Sequence, residues 1–329
     1  MEPLITVIMT VHERNGFLKA ALESLEMQTL PKDHFEVIIV TEVDLNLRKK
    51  SDLEIRILRT QIAGTFGKDL IGIKESRGDI LCFLDDDDLF CPNKLEIIER
   101  EFKETPSINF HKNNIIRISE EGSFLPCSTQ DTQAYTTKKF SSRSLSPRRI
   151  IKMRSSLNMS FNLSSISIRR QIIDLDKASQ LSDSLNPDYI LFFLALNSEG
   201  VIVYDGRRLS ARRIRTNSVS DGFGSQVDRF LMSSHYTTRG LLNLIQDRQV
   251  AKVLMRDELI ARAMLFIKDR YSINRGDIFQ FVKAYFLQFS PFLLLVTALG
   301  AIKLFFPKLF PLANRAYQKY YVVFRQKFF

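Results

Sequence analysis

An open α/β sheet with helices on both faces is the fold class that the N-terminal third of this chain predicts. Three observations carry it. Short apolar runs recur at LITVIMTV (4–11), FEVIIVTEV (35–43) and DILCFLD (79–85). They are continuous rather than alternating, as in strands buried on both faces of a parallel sheet. The segment joining the first two, GFLKAALESLEMQTLP, places Phe17, Leu18, Ala21, Leu22 and Leu25 at helical spacing, with Pro31 just past its end. Strand, helix, strand is the unit from which such sheets are assembled.

The remaining elements follow in order. LEIRIL (53–58) reads as a further strand, and DLIGIKESRG (69–78) as a helix ended by Gly78. PNKLEIIEREFKE (92–104), with Pro92 in its first turn, reads as an amphipathic helix. Residues 122–165 are rich in Ser, Thr and Arg with weak periodicity, so loop and short elements are expected there. DYILFFLALNSEG (188–200) is apolar all round, which suits a buried helix capped by Gly200. VIVYDGRRLSARRI reads as two strands around a turn, and from Gln226 to Arg270 the pattern becomes that of two helices. No repeat of solenoid period is present.

Composition narrows the partners. A chain of 329 residues, 45% hydrophobic and 26% charged, has the makeup of a folded protein and not of a disordered one. Its net charge of +10 points to an anionic partner. Cys82, Cys91 and Cys127 form no CxxC pair, which favours a reduced setting over a disulfide framework. The N-terminus MEPLITVIMTVHER lacks the basic-then-apolar layout of a secretory signal, so the sheet is expected to stay in the cytoplasm.

Much of the basic excess lies near the C-terminus, where no acidic residue follows Asp277. The segment 281–310, FVKAYFLQFSPFLLLVTALGAIKLFFPKLF, is apolar with few breaks. A spanning helix needs about 20 apolar residues, and the stretch SPFLLLVTALGAIKLFF falls short of that while enclosing Lys303. Lys308, Arg315, Lys319, Arg325 and Lys327 follow, against the positive-inside tendency if the segment crossed. The reading favoured is a helix pair in the cytoplasmic leaflet with its cations on lipid phosphates; a single span and a buried core helix are the alternatives. The expected division is a catalytic domain over 1–222, a helical extension over 223–276 and membrane-associating helices over 277–329. Lipid suits this distribution better than nucleic acid, which is not expected as a partner.

FLDDDDLF (83–90) sets four carboxylates between apolar flanks. In an extended chain Asp85 and Asp87 share one face, and Asp86 and Asp88 the other. Carboxylates at the carboxyl end of a strand in an open α/β sheet stand where such folds bind ligands. Hard divalent ions take one or two carboxylates and complete their shell with water and phosphate oxygens. A solvated turn is the plainer alternative.

Taken together, ITVIMTVHERNGFLKAALESLEMQT, EVIIVTEVD and GIKESRGDILCFLDDDDLFCPNKLE resemble the opening of an inverting family-2 glycosyltransferase with the GT-A fold and its DxD motif. The resemblance implies an open mixed sheet flanked by helices that binds a nucleotide-diphosphate sugar with Mg²⁺ or Mn²⁺. It would place Asp85 near the ribose, Asp86 also on the donor, and Asp87 on the metal. Thr10, His12 and Glu13 would line the base, and Glu42 stands where the family's base-contacting aspartate is usual. GTFGKDLIG replaces the usual Ala-Arg-Asn pattern, leaving Lys68 to cover a phosphate. The GxxGK inside it is not a P-loop, because the spacing is short and no Ser or Thr follows the lysine.

NPDYILFFLALNSEG is similar to the family segment whose acid is the general base, and the matching residue is Asp188. A helix cap is the alternative role, since Asp is among the best caps. Arg215 stands where the family often has histidine. The function implied is sugar transfer to a membrane-linked acceptor (a lipid-linked saccharide, a glycolipid or a polyprenyl phosphate) at the cytoplasmic face of the membrane. The cluster SLSPRRIIKMR (145–154) is a candidate dock for a lipid phosphate or a solvated basic face. A non-catalytic sugar-nucleotide-binding adaptor and a Mg-dependent nucleotidyltransferase are the competing readings; TVHERNGF lacks the glycine-rich basic signature of the latter.

Overall fold

The computed structural model describes residues 4–11, 16–45, 52–62, 64–123, 136–214, 225–267, 298–299, 301–306, 308–311 and 313. The chain divides into two compact units. The first comprises Met1–Leu145 and Leu157–Asp221, the second Ser146–Ser156 and Gly222–Phe329.

The first unit begins with β1 (Ile5–Val11), α1 (Leu18–Glu26), β2 (Phe35–Thr41), β3 (Ile55–Arg59), α2 (Thr65–Glu75) and β4 (Ile80–Asp85). β1 pairs in parallel with β2 and β4, and β2 with β3, which is the arrangement the continuous apolar runs predict. Every residue of β1 and β2 is buried, and Ile5, Val7, Met9, Val37, Ile39, Cys82 and Leu84 form the core with Leu18, Ala21 and Leu25 of α1. Thr10 pairs with Val40 on one side and Asp85 on the other. The carboxyl ends of the three central strands are therefore level.

The second half of the sheet is mixed. Its elements are β5 (Leu89–Phe90), α3 (Lys94–Glu104), β6 (Ile108–Ile118), β7 (Thr137–Ser141), α4 (Pro147–Leu157), β8 (Ile166–Arg169), α5 (Leu175–Ala178), α6 (Pro187–Asn197) and β9 (Val201–Arg213). The strand order is β3-β2-β1-β4-β8-β6-β9-β5, with β7 also on β9. β8 runs antiparallel to both β4 and β6, so the sheet is open and mixed. The second unit contains α7 (Ser225–Leu244) and α8 (Arg248–Ile267), the two helices expected from the pattern. Among the described residues no helix is long and apolar enough to cross a membrane.

Several elements differ from their sequence reading. α2 starts at Thr65, and its stop is Ser76, whose hydroxyl and N–H both donate to the Ile73 carbonyl. Gly78 serves a different need: a Cβ there would lie 2.6 Å from the Thr6 nitrogen. Gly200 likewise leaves room for Asn109, and the residue capping α6 is Ser198. Pro92 lies in the turn before α3, whose N-cap is Asn93. VIVYDGRRLSARR is one strand of 13 residues, not two. Asn113 pairs with Asp205 and Asn114 with Arg208, so Gly206 and Arg207 are taken up as a bulge and not as a turn. β6, β8 and α4 were absent from the pattern reading.

At the amino end of the parallel strands, Glu36 is fully buried beneath Thr6, Arg56 and Arg77. Burial raises its pKa, but bonds from the Arg77 N–H, the Thr6 hydroxyl and the Arg77 guanidinium, with the Arg56 charge, hold it below the usual value. Carboxylates buried for structure carry such partners.

Candidate active site

β4 delivers Asp85 to the carboxyl edge of the sheet, and the chain turns at once. The Asp88 N–H donates to the Asp85 carbonyl at 3.1 Å, and β5 begins one residue later. Asp86 and Asp88 are buried while Asp85 and Asp87 are half-buried, so the run has two faces. Asp88 faces the protein. Its carboxylate accepts from the Asn162 amide at 2.7 Å and from the Arg213 N–H at 2.9 Å. The Arg213 guanidinium donates to the carbonyls of Asp87, Ser119 and Glu120, and stacks 4.6 Å from the centre of the Phe17 ring. Burial and the Asp87 charge push Asp88 up to about 6 in spite of these donors. Asn162 holds φ 62, a left-handed conformation that Asn tolerates well, and two residues on the Ser164 hydroxyl accepts the Asp85 N–H at 3.0 Å.

Asp85 has a different environment. Burial, followed by the charges of Asp88, Asp87, Asp69 and Asp86, raises its carboxyl well above the usual range. Among the described residues no cation pairs with the side chains of Asp85, Asp69 or Asp188. Asp188 stands one residue inside α6, after Pro187, so the capping position belongs to Asn186. Its carboxylate accepts its neighbour Tyr189's N–H at 2.9 Å. Burial pushes it up to about 6, against the Tyr189 N–H and the Lys112 charge.

Two buried lysines form a polar floor in the same unit. Lys112 donates to the Asn113 carbonyl at 2.9 Å and the Ser165 hydroxyl at 2.5 Å. Lys94 donates to the Ser164 carbonyl at 2.6 Å and the Ser210 hydroxyl at 3.0 Å, and its ammonium lies 3.7 Å from the Phe90 ring centre. Burial lowers them to about 7 and about 8 respectively. The sequence reading missed both, along with Asp69, Asp88, Asn162 and Arg213. The signal available was a charge inside an otherwise apolar stretch, as in INFHKNNII.

The other expected site residues are placed as follows. Thr10 is buried at the end of β1 opposite Asp85. Glu42 follows β2 and pairs with the Lys68 ammonium at 2.5 Å; Lys68 itself is fully buried in α2. These two expected donor contacts are thus partners of each other. His12, Glu13 and Arg215 lie outside the described residues, as do Cys127 and most of 277–329. The basic cluster lies on α4 in the second unit, where Arg148, Arg149 and Lys152 are exposed and Arg154 pairs with Asp257.

A second acidic group, Glu101, His111 and Asp205, brings one ligand atom from each within 4.8 Å. Arg207 already occupies it. Its Nε donates to both Asp205 oxygens, at 2.9 and 2.8 Å, and its terminal nitrogen pairs with Glu101. Burial raises Asp205, but the nearby His111 imidazole and the Arg207 hydrogen bonds outweigh it and hold the carboxyl at about 2. A guanidinium stands where a metal's charge would be, so this group does not fit a cation. The aspartate run does: its donors are hard oxygens, and Asp85 is crowded by like charge.

The family model for Glycosyl transferase family 2 matches residues 6–173, half of the chain. The chain belongs to this family. Curated relatives include an uncharacterized glycosyltransferase of Haemophilus influenzae, 32% identical over 111 residues, covering 32% of this chain and 37% of that protein. An uncharacterized glycosyltransferase of Rickettsia bellii is 35% identical over 127 residues, covering 37% and 18%. The chain thus matches well under half the length of these relatives. Among solved structures, S. aureus TarS 1-349 in complex with UDP-GlcNAc superposes with a TM-score of 0.58 at 17% identity, over 97% of this chain and 88% of that one. This is the GT-A fold. The family generally uses a divalent metal.

Proposed function

We propose that this glycosyltransferase transfers a sugar, with inversion, from a nucleotide-diphosphate sugar to a membrane-linked acceptor. The observation that carries the reading is the aspartate run that begins at Asp85, the last residue of β4, where among the described residues no cation pairs with the Asp85 side chain. The neighbouring TarS structure contains UDP-GlcNAc, which supports a nucleotide sugar as donor. Asp87, on the half-buried face of the run, would hold Mg²⁺ or Mn²⁺. When bound, such an ion supplies charge neutralisation on the leaving diphosphate.

The chain's own residues do the rest. Thr10 and Asp85 lie level along the carboxyl edge, Glu42 follows the end of β2, and the three would orient the nucleoside. Asp188 accepts the proton of an acceptor hydroxyl as it attacks the anomeric carbon, and a carboxylate titrating at about 6 is ionised and still basic near neutral pH. A phosphate acceptor is already ionised and needs no such base.

The membrane component rests on the basic apolar tail and the exposed cations of α4. On this reading the enzyme works at the cytoplasmic surface of the bilayer. A panel of nucleotide sugars tests the donor reading. Thermal stabilisation and hydrolysis should appear for one base, only with Mg²⁺ or Mn²⁺, and vanish with EDTA. A panel without any metal-dependent response would refute it. Chain ending at Gly276 should leave the membrane fraction without detergent; retention there would refute the tail assignment.

A further inference from the structure

Gly64 and Gly67 lie where α2 meets the segment that leads into α6. A Cβ at Gly64 would stand 2.0 Å from the Ser182 carbonyl oxygen and 2.7 Å from the Asp183 Cα. At Gly67 it would stand 2.8 Å from the same oxygen. The backbone at Gly64, φ −71 and ψ 133, is open to any residue, so glycine is required there for close approach and not for conformation. The approach is bonded. The Phe66 and Gly67 N–H groups, in the first turn of α2, donate to the Ser184 and Ser182 carbonyls at 3.1 and 2.9 Å. Such N–H groups have no acceptor inside their own helix, and the 182–184 segment supplies it.

The clasp continues into α6. The Ser184 N–H donates to the Leu181 carbonyl at 2.9 Å, and the Ser184 hydroxyl accepts the Asn186 N–H at 3.1 Å. Asn186 caps α6, its carbonyl accepts the Ile190 N–H at 3.1 Å, and Asp188 stands in the same turn. A continuous run of bonds thus joins the start of α2 to the turn that carries Asp188, which is half-buried and not sealed. The two sides of the clasp differ in freedom. α2 packs against β1 and β2, with Phe66, Leu70 and Ile73 buried. The other side reaches the surface, where Asp183 is exposed and Ser182 half-buried. A group forced between them moves the outer side, and the start of α6 with it.

Resting on Asp188 as the base, as read above, we propose that Gly64 is a positioning residue. Its missing side chain lets the 182–184 segment close on α2 and so fixes where the Asp188 carboxylate meets the acceptor hydroxyl. Gly64→Ala would push the segment back by about 1 Å, a misplacement that costs a reaction up to about 100-fold.

The test uses the full-length enzyme with Mn²⁺ and hydrolysis of UDP-glucose, UDP-N-acetylglucosamine, GDP-mannose and dTDP-glucose. Water is then the acceptor: its oxygen bonds to the anomeric carbon, the bond to the diphosphate breaks, and Asp188 takes the proton. Gly64→Ala should lower kcat about 10- to 100-fold, while calorimetric affinity for the matching bare nucleoside diphosphate stays within about twofold. In an Asp188→Asn background the same substitution should change kcat by less than about twofold, because no base remains to be placed. An unchanged kcat in Gly64→Ala, an equal fall in both backgrounds, or a parallel fall in nucleotide affinity would overturn the proposal. Ser184→Ala removes the acceptor of the Asn186 N–H without adding bulk, and should lower kcat about 3- to 10-fold with the same dependence on Asp188. Should Gly64→Ala fail to fold, Ser184→Ala decides alone. A wild type that hydrolyses none of the four would sink the donor reading and this proposal with it. An Asp188→Asn enzyme as fast as wild type would sink the base reading and this proposal together. A slow Asp188→Asn beside a Gly64→Ala of full speed would sink this proposal only.

Discussion

Two acidic clusters in the same unit have opposite characters. Around His111, each carboxylate meets a cation: Asp205 and Glu101 both hold Arg207, and Asp205 titrates at about 2. At the carboxyl edge, Asp85 and Asp69 are raised well above the usual range and Asp188 to about 6, with no cation bonded to their side chains among the described residues. Both contain the same side-chain chemistry. The difference is that the first cluster has its counter-charge from Arg207, and at the second no described cation pairs with Asp85, Asp69 or Asp188. A spatial cluster of acids is therefore weak evidence for a metal, and the missing cation is the informative part.

That contrast can be broken most sharply by activity. Asp87→Asn should lower sugar transfer about 1000-fold, whereas Asp205→Asn should leave the rate per folded molecule within about twofold. Asp188→Asn should cost about 100- to 10,000-fold in transfer to a hydroxyl acceptor with donor affinity intact. In the wild type, kcat/KM should fall as pH drops below about 6, where Asp188 takes up its proton. Unchanged turnover in that variant would exclude Asp188 as base.

Stability should respond in the reverse order. Arg207→Ala, which strands Asp205, should destabilise the fold by about 3 kcal/mol in urea denaturation. Asp69→Leu should cost nothing or stabilise, since neither carboxyl oxygen has a hydrogen-bond partner among the described residues. The smallest effect is the sign of the pH dependence. Asp188 has a folded pKa above its unfolded one, so its contribution to stability is complete below about 4 and is lost as pH rises through about 6. Asp205 is depressed, so its contribution is present above about 4 and is lost as pH falls through about 2. Asp188→Asn should flatten the first slope and Asp205→Asn the second, each read from urea midpoints across pH.

The parallel half of the sheet was legible because both faces of β1, β2 and β4 are covered and the apolar runs are unbroken. β6 and β8 were not, since they carry His111, Lys112, Asn113 and Ser167 at buried positions. Lys112 and Asn113 bond to side chains remote in sequence, Ser165 and Ser210. No local pattern announces them. β9 was read as a hairpin because Asp205 and Gly206 look like a turn, while its partners β6 and β7 absorb the irregularity as a bulge. α4 was obscured by serine and arginine. At the site, Asp85, Asp87 and Asp188 stood out through position beside apolar elements. Lys68 and Glu42 were each read as ligand contacts, and only tertiary geometry reveals their mutual pairing.

Asp88 has one further consequence. With Arg213, Asn162 and Ser164 anchoring the backbone from both sides, the corner that follows β4 keeps its shape in an empty enzyme. An ion held there as proposed would meet a corner already in shape, so its capture would entail little loss of chain entropy. Cutting the Asn162 tether should loosen metal affinity while every liganding oxygen remains chemically intact.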